Sequence, residues 1–490
     1  METKEFLSRY EKAKARRSVW EGHWQDCYDF VMPQRSSFTN TTVAGAKKAD
    51  KLYDATAPDA VDNLGSTLLA NLTPPWSPWF SLRCGPALSA KEKDSVSGVL
   101  ERDANITQSH FDRSNFTVEI HQCYLDLIIG GTACLLFEEA PVGELSAFRF
   151  TAVPLHQVVL EEGADGRLNT TYREYKLTYS QLKKRFPKVD YPTDLIQDSE
   201  KDSQVQFTCV EAVMPKSGSF LYKAVLKDYD LELKETKMEY SPFINFRWVK
   251  SPGEIYGRSP IMKVLPDIKT ANKVVELILK NASIAATGVW QADDDGVLNP
   301  ATVKLTPGAI IPKAVGSAGL TPLAMPGKFD VSQIVLNDLR DRIRHALWTD
   351  RLGVIGSRNM TATEVLERSA EMSQVLGATF GRLQSELLSP LVLRAMSILK
   401  RRGEIADLRV DGRFVYLEYN SPLAQSQAQM DVKNVLYWIQ SASAIGTDGA
   451  QAINVVETAK WLGKKLGVPD KLINEQTGLP EIALQDSVSV

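Results

Sequence analysis

The spacing of hydrophobic residues changes along the chain and predicts helices first. From residue 4 to residue 129, apolar side chains recur at three- and four-residue intervals, which predicts helices over 4–31, 59–72, 89–114 and 117–129. Residues 74–80 contain three prolines and cannot be helical, because proline lacks the N–H that a helix requires. The last of these helices is expected to end at Gly130 and Gly131.

Residues 132–250 have a different texture, since they alternate apolar and polar side chains and are rich in β-branched and aromatic residues. The pairs Asp165-Gly166 and Ser217-Gly218 supply hairpin turns. One helix is predicted over 180–186. The fold class is therefore α+β with largely antiparallel pairing. Strands are predicted over 132–138, 148–153, 157–161, 168–175, 205–214, 220–227 and 243–249.

Helical spacing returns at Ser259 and predicts a helix over 259–286, which would be roughly 40 Å long at about 1.5 Å per residue. A polar stripe on this helix contains Lys269, Lys273, Glu276 and Lys280. A small module of strands and turns is predicted over residues 287–328. Further along, the pattern predicts a helix over 331–348 and a polar loop over 349–359. A capped helix is predicted from Thr361, with a kink at Pro390. A hairpin at residues 408–418 and helices over 424–443 and 450–466 follow.

Length and composition bound the class of protein. The 490 residues suggest about three folding units, and 43% hydrophobic residues allow sizeable cores. A net charge of −3 argues against a simple basic nucleic-acid binder. Five cysteines without a C-x-x-C pair fit reduced thiols in a cytoplasmic protein. No apolar run is long enough for a transmembrane helix and no secretory signal is visible, so no membrane partner is expected.

A search for reactive constellations finds none. The sequence has no phosphate-binding P-loop, no dinucleotide fingerprint, no nucleophile elbow and no H-E-x-x-H pair. The five histidines are scattered, and residues 293–295, three aspartates, lack the ligand order of a calcium loop. We predict no catalytic residue, no cofactor and no metal, which weakly favours a structural role. A hydrolase that uses paired carboxylates stays open as an alternative.

Several short motifs follow one another along the chain in a recognisable order. The pattern Arg17-x-x-Trp20-x-x-x-Trp24 is followed by Tyr53-Asp54-Ala55-Thr56-Ala57. The more specific motifs are Arg247, Trp248, Gly253, Glu254, Tyr256, Gly257, Arg258, Ser259 and Pro260, and then Met360, Thr361, Ala362, Thr363 and Glu364. The set is completed by Ser421-Pro422-Leu423-Ala424 and Gly467-Val468-Pro469. In these motifs, which together span nearly the whole chain, the sequence resembles the head-to-tail connector (portal) proteins of short-tailed, podovirus-type phages.

The resemblance implies a non-enzymatic virion protein that forms a ring of twelve copies at one capsid vertex. Such a ring nucleates head assembly, docks the terminase large subunit, conducts genomic double-stranded DNA during packaging and ejection, and anchors the tail. The implied partners are scaffolding and major capsid proteins and tail adaptor proteins. The implied location is the portal vertex of the capsid, with the host cytoplasm during assembly. A non-ring virion adaptor and a cytoplasmic enzyme without a linear motif are the alternatives.

The resemblance also implies a multidomain portal-type fold that is divided into wing, helical stem, small α/β clip and helical crown. On this basis we expect N-terminal helices and an α+β wing at 1–258, a stem helix at 259–286, a clip at 287–330, a second stem helix at 331–348, a channel loop at 349–360, a wing helix and hairpin at 361–420, and a helical crown with a C-terminal tail at 421–490.

Basic residues on the expected channel elements are candidates for contact with DNA. The lysines share one helical face, and the arginines lie in the loop that follows the second stem helix. We expect non-specific phosphate contacts without base readout, since no recognition element is visible. Salt bridges between subunits are the alternative for each of them. The candidates are Lys269, Lys273, Lys280, Arg351 and Arg358.

Overall fold

The computed structural model describes residues 2–35, 52–88, 90–287, 329–349, 379–406, 414–419, 422–444 and 452–465, together with a few short pieces and isolated positions between these ranges. The expected channel loop and nearly all of the expected clip lie outside the described residues. So do the predicted helix start at Thr361 and the residues after 468.

Eleven helices of α type are described. Within the described ranges, the helices predicted from periodicity are present, with bounds shifted by a few residues. They are α1 (Thr3–Val31), α2 (Thr56–Leu72), α3 (Ala90–Asp112), α4 (Phe116–Gly130), α5 (Tyr179–Arg185), α6 (Thr193–Lys201), α7 (Pro260–Thr287), α8 (Phe329–Ala346), α9 (Ser389–Arg402), α10 (Pro422–Ala444) and α11 (Val455–Lys465).

Twelve strands are described, and every pairing between these strands is antiparallel, as predicted. They are β1 (Phe80–Cys84), β2 (Thr132–Glu139), β3 (Phe148–Val153), β4 (Val158–Glu162), β5 (Leu168–Thr178), β6 (Gln206–Lys216), β7 (Ser219–Leu226), β8 (Leu231–Met238), β9 (Phe243–Arg247), β10 (Trp290–Gln291), β11 (Thr321–Pro322) and β12 (Val415–Tyr419).

Two sheets form the centre of the molecule. Strands β4 to β8 make a five-stranded sheet in chain order, and β2 lies between β3 and β9 in a three-stranded sheet. The predicted turn at Ser217-Gly218 joins β6 to β7 with both residues at positive φ. The turn at Asp165-Gly166 joins β4 to β5.

Hydrophobic packing produces one large core and one small core. The large core joins α2 and α4 to the three-stranded sheet and to α9, and it buries Trp24, Trp79 and Phe137. The small core lies between the N-terminal half of α1 and one face of the five-stranded sheet, where Phe6 and Tyr10 pack against Tyr172. Helix α1 therefore contacts both cores.

Three elements escaped prediction, and one predicted strand is shorter. Strands β1 and β8 and helix α6 were not predicted, and the strand predicted over 243–249 ends at Arg247. Strand β12 pairs with β1, a partner that lies more than three hundred residues earlier in the chain. The proline run ends at Pro78, and β1 begins two residues later, at Phe80. Proline has no N–H to donate to a neighbouring strand, so regular strand pairing begins only after the run.

The kink predicted at Pro390 is displaced by one turn. Residues Gln384–Leu388 form a π-helical turn, and Pro390 lies in the first turn of α9. Proline has no N–H to donate to the carbonyl of residue 386, so the irregularity falls on the preceding turn. The Ser389 hydroxyl donates to the carbonyl of Gln384 at 2.9 Å and satisfies one of the carbonyls of this turn.

Candidate functional site

The predicted lysine stripe lies along α7, and two of its three lysines share one carboxylate. We use "the lysine stripe" for Lys269, Lys273, Glu276 and Lys280. Glu276 accepts hydrogen bonds from Lys273 at 2.9 Å and from Lys280 at 2.5 Å. Both lysine side chains are about three-fifths exposed. They are therefore accessible cations, joined along the helix by ion pairs at i, i+3 and i, i+4 spacing.

The same contacts shift the titration of the stripe in the expected directions. The hydrogen bonds from Lys280 and Lys273 lower the pKa of Glu276, and the hydrogen bond to Glu276 raises the pKa of Lys280. At neutral pH Glu276 and Lys280 are therefore both charged. Lys273, Glu276 and Lys280 together carry one excess formal positive charge in each chain.

Lys269 is in a different environment from the other two lysines. Its ammonium group forms an ion pair of 2.6 Å with Asp26 on α1 and lies 5.4 Å from the centre of the Phe30 ring. This contact ties α7 to α1 within one chain. The structure thus separates Lys269 from Lys273 and Lys280, although the sequence placed all three on one face. Arg351 and Arg358 lie outside the described residues.

The motif at 247–260 forms a compact junction that holds the start of α7. We use "the junction" for Gly131, Thr132, Arg247, Gly257 and Glu386. The Gly257 amide donates to Oγ1 of Thr132 at 2.8 Å. A Cβ on Gly257 would overlap the carbonyl oxygen of Gly131, and a Cβ on Gly131, which has a φ of +74°, would overlap the carbonyl of Gly257. Only glycine at both positions permits this approach.

Arg247 is the buried charge of the junction. Its side chain is 1% exposed, and its guanidinium Nη2 donates to Oε1 of Glu386 at 2.7 Å. The Arg247 backbone amide donates to the other carboxylate oxygen of Glu386 at 2.9 Å. Further guanidinium hydrogen bonds go to the carbonyls of Ile255 and Gly166. A buried arginine with this many acceptors fixes the geometry around it.

Aromatic motif residues attach the junction to neighbouring helices. Tyr256 is buried, which raises its pKa to about 12, and its hydroxyl accepts from the Leu160 amide at 3.1 Å. Its ring meets Trp24 edge-on, with centroids 4.9 Å apart. Trp248 stacks on Trp348, just after α8, at 5.5 Å. Motif residues therefore contact α1 and the segment that follows α8.

The remaining residues of this motif shape the turn before α7 and begin the helix. Gly253 occupies a positive φ of +82°. Glu254 pairs with Arg258, whose guanidinium lies 4.6 Å from the centre of the Trp20 ring. The Ser259 hydroxyl accepts from the Met262 amide at 2.9 Å and Pro260 is the first helical residue, so the predicted helix start is confirmed.

Asp54, which belongs to the motif at residues 53–57, joins helices α7 and α8. Its carboxylate accepts from Arg340 on α8 at 2.8 Å, and its amide donates to Asn272 on α7 at 2.9 Å. Burial alone would raise the pKa of Asp54, but the hydrogen bonds from Thr56 and Arg340 lower it overall. Arg342 on α8 also pairs with Asp267 on α7 at 3.4 Å. The C-terminal half of α8 therefore lies beside the N-terminal half of α7.

Sequence reasoning missed several members of this arrangement. Glu386 and Thr132 contact the motif at residues 247–260 from distant parts of the chain. The one sequence signal near this contact was the helix end predicted at Gly131. The π-helical turn that carries Glu386 was signalled only indirectly, by Pro390. The motif residues Met360, Thr361, Ala362, Thr363 and Glu364 lie outside the described residues.

The described residues contain no group of three His, Cys, Asp or Glu side chains that could hold a metal ion. The five cysteines, all of them among the described residues, form no disulfide bond. Within the same residues, no helix combines the length and the apolar character that crossing a membrane requires. What the fold and the junction define is a chain of mixed helix and strand content that fixes a long helix pair against a β-sheet core.

Comparison with known proteins identifies the family. The model of one family, described as "Bacteriophage head to tail connecting protein", matches residues 3–473. The chain belongs to this family of head-to-tail connectors and is a virion component that serves as a phage portal. The resemblance seen in the sequence motifs is thereby confirmed.

Relatives described as portal proteins match along most of their length. A "Probable portal protein" of Bordetella phage BPP-1 is 24% identical, over 96% of this chain and 89% of the relative. The "Portal protein" of Salmonella phage epsilon15 is 24% identical over 89% and 81%, and that of Escherichia phage T7 is 21% identical over 81% and 75%.

Among solved structures, a chain from "Virion of native gene transfer agent (GTA) particle" is 12% identical, with a TM-score of 0.39 over 83% of this chain and 89% of that chain. A TM-score this low does not establish a shared arrangement of the domains.

Proposed function

We propose that twelve copies of this chain form a closed ring at one capsid vertex and that the ring conducts genomic double-stranded DNA during packaging and ejection. The family match over residues 3–473 carries this proposal. In the same role the ring would nucleate head assembly, dock the terminase large subunit, contact scaffolding and major capsid proteins, and bind tail adaptor proteins. It would assemble in the host cytoplasm and act without catalysis of its own.

The described elements fit a division into wing, stem and crown. Helices α1 to α6 with the two sheets would form the wing over 1–258, and 361–420 would complete it. Helices α7 and α8 would form the stem, since Asp54 and the Arg342–Asp267 pair hold them together. Helices α10 and α11 would belong to the crown. The clip at 287–330 and the channel loop at 349–360 complete the proposed layout.

Exposed apolar side chains on the outer parts of these helices support contacts between copies. Clusters of large exposed apolar residues commonly mark surfaces that bind another protein chain, whereas single ones need no partner. Large exposed apolar residues occur on both proposed stem helices and on both proposed crown helices. The residues concerned are Leu277, Leu279, Ile334, Val335, Leu436, Tyr437, Trp438, Val455 and Val456.

We further propose that exposed cations of the ring contact DNA phosphates without reading sequence. Lys273 and Lys280 are the strongest candidates, because both are exposed and lie on one face of α7. Lys269 contributes less, since Asp26 already neutralises it. Arg351 and Arg358 complete the set on the grounds of their sequence position. A weak excess of positive charge would allow the duplex to slide, because each neutralised phosphate adds affinity.

The ring is tested by native mass measurement of the purified protein together with electron-microscopic imaging along the symmetry axis. Twelve chains of 54.4 kDa predict about 650 kDa and a central hole wide enough for a duplex. A chain that stays monomeric at all concentrations, both alone and with its scaffolding protein, would contradict the proposal. That result would favour a non-ring adaptor.

A further inference from the structure

A cleft of about 670 Å³ lies on the face of the five-stranded sheet that is turned away from α1. Its floor is formed by side chains of β6, β7 and β8, among them Glu211, Tyr222 and Lys234. Its opposite wall is formed by the end of β2 and by α9, which contributes Arg394 and Arg401. Ligand sites are commonly built where two packed units meet in this way.

The cleft is basic although the chain as a whole is acidic. Six basic residues and four carboxylates line it, whereas the full sequence carries a net charge of −3. Three of the four carboxylates are already paired with arginines, and the fourth, Glu239, accepts from the Ser397 hydroxyl at 2.8 Å. Glu211 accepts from Tyr222 at 2.6 Å, Arg185 pairs with Glu138 and Glu211, and Arg401 pairs with Glu139 at 3.0 Å.

Three of the basic groups, by contrast, have no carboxylate within ion-pair distance in the described part of the chain. Arg394 is buried and donates to the carbonyls of Phe137 at 2.8 Å and Tyr240 at 2.7 Å, which are both neutral acceptors. Burial lowers its pKa to about 10. Lys234 and Lys237 project from β8 and are exposed. Lys234 lies opposite Ala224 on the cleft side of the sheet, and Lys237 lies opposite Leu221 on the other side of the same strand. A buried guanidinium and exposed ammonium groups along one strand edge favour an acidic partner.

We propose that this cleft and the adjoining edge of β8 bind an extended acidic segment of a protein partner, with carboxylates paired to Lys234 and Arg394 in the cleft and to Lys237 on the other side of the edge. Strand β8 is the last strand of its sheet, so in the described part of the chain no strand pairs with its outer edge. An extended peptide can follow such an edge and present side chains at strand spacing. The proposal does not depend on ring formation.

Fluorescence anisotropy of a labelled octaglutamate peptide against the full-length protein tests the proposal. The peptide is expected to bind at least about tenfold more tightly than octaglutamine at low salt. The exposed pair Lys234→Gln and Lys237→Gln should weaken binding about five- to tenfold. A control pair, Lys12→Gln and Lys216→Gln, changes the net charge equally at exposed positions outside the cleft and should weaken it less than about twofold.

Three results would overturn the proposal. The first is equal affinity for octaglutamate and octaglutamine. The second is equal weakening in the two double variants, which would show a general effect of charge. The third is displacement of the peptide by free glutamate at the same total concentration of carboxylate, which would make the cleft a site for small anions.

Discussion

At the scale of single residues, the tightest constraint in the described part of the chain is the mutual approach of Gly131 and Gly257. A Cβ added to either glycine would overlap the carbonyl group of the other. The Cβ of Arg247 also lies 3.0 Å from the position that a Cβ on Gly257 would take. The neighbouring atoms are backbone and a buried arginine, which cannot move aside without disturbing the pair with Glu386. The start of α7 is therefore fixed by backbone contact rather than by side-chain packing alone.

Gly257→Ala is expected to lower the free energy of unfolding by about 2–4 kcal/mol, because overpacking against backbone forces a shift of β2 or of the α7 start. Chemical denaturation followed by circular dichroism measures the change. Gly22→Ala is the matched control, because Gly22 lies inside α1 with no atom near its Cβ position. It should raise the free energy of unfolding by about 0.5–1 kcal/mol. Equal effects at the two positions would contradict the steric account.

The sequence identified one half of this contact and not the other. The motif at 253–260 predicted a helix start, and the Gly130-Gly131 pair predicted a helix end, but nothing local joined them. Thr132 and Gly257 are 125 positions apart, and their hydrogen bond exists only because β2 and β9 are neighbours in the sheet. Glu386 was missed for the same reason, since a lone glutamate on a helix shows no preference for a buried partner.

At the scale of elements, the helix pair α7 and α8 depends on one short polar segment. Asp54 contacts both helices, through Asn272 and Arg340, and its side chain is 5% exposed. The segment just before α2 therefore acts as a clamp on the proposed stem. The periodicity of a long amphipathic helix does not reveal such a clamp, because the contact is made by residues outside the helix.

Asp54→Asn should lower the free energy of unfolding by about 1–3 kcal/mol at pH 7, because the variant cannot form the charged hydrogen bond to Arg340. The pKa of Asp54 lies below its ordinary value of 3.8 in the folded chain. Its stabilisation is therefore fully present above that ordinary value and disappears as the pH falls through the folded pKa. The difference between wild type and variant, measured by chemical denaturation over a pH series, should shrink only in that acidic range.

Asp341→Asn is the matched control on α8. Asp341 is about three-quarters exposed and pairs with Arg344 at the surface, so its removal should cost less than about 0.5 kcal/mol. The difference in free energy of unfolding between wild type and Asp54→Asn could instead stay constant to pH values below the folded pKa of Asp54. That result would show that Asp54 stabilises the fold by its shape and not by its charge.

Helices α7 and α8 were predictable because their apolar residues recur at helical spacing over many turns. The short helix α6 was missed although it is amphipathic, because nine residues give the periodicity too few turns to be recognised. Strand β8 reads Leu-Glu-Leu-Lys-Glu-Thr-Lys-Met and carries charges typical of an edge strand. It is a strand because β7 pairs with it along its length, which no local pattern of residues indicates.

At the scale of the whole molecule, charge on the proposed channel helix is nearly balanced within each chain. Glu276 offsets one of the two exposed lysines that flank it, and Asp26 offsets Lys269. Repeated around a ring, the excess would be one positive charge per chain at this level. Such a surface attracts phosphates but holds each of them weakly, which a conduit for sliding DNA requires.

Removing the two exposed lysines should therefore reverse the sign of this surface. In the assembled ring, Lys273→Gln with Lys280→Gln leaves Glu276 alone, and the salt dependence of duplex binding should become shallower by about 0.9 for each phosphate that is no longer neutralised. Adding Glu276→Gln should restore part of the affinity without restoring the slope, because it removes repulsion but adds no cation. The measurement is duplex binding over a salt series, with DNA retention in particles as a second readout. Unchanged slope and retention in both variants would assign these lysines to contacts between neighbouring copies instead of to DNA.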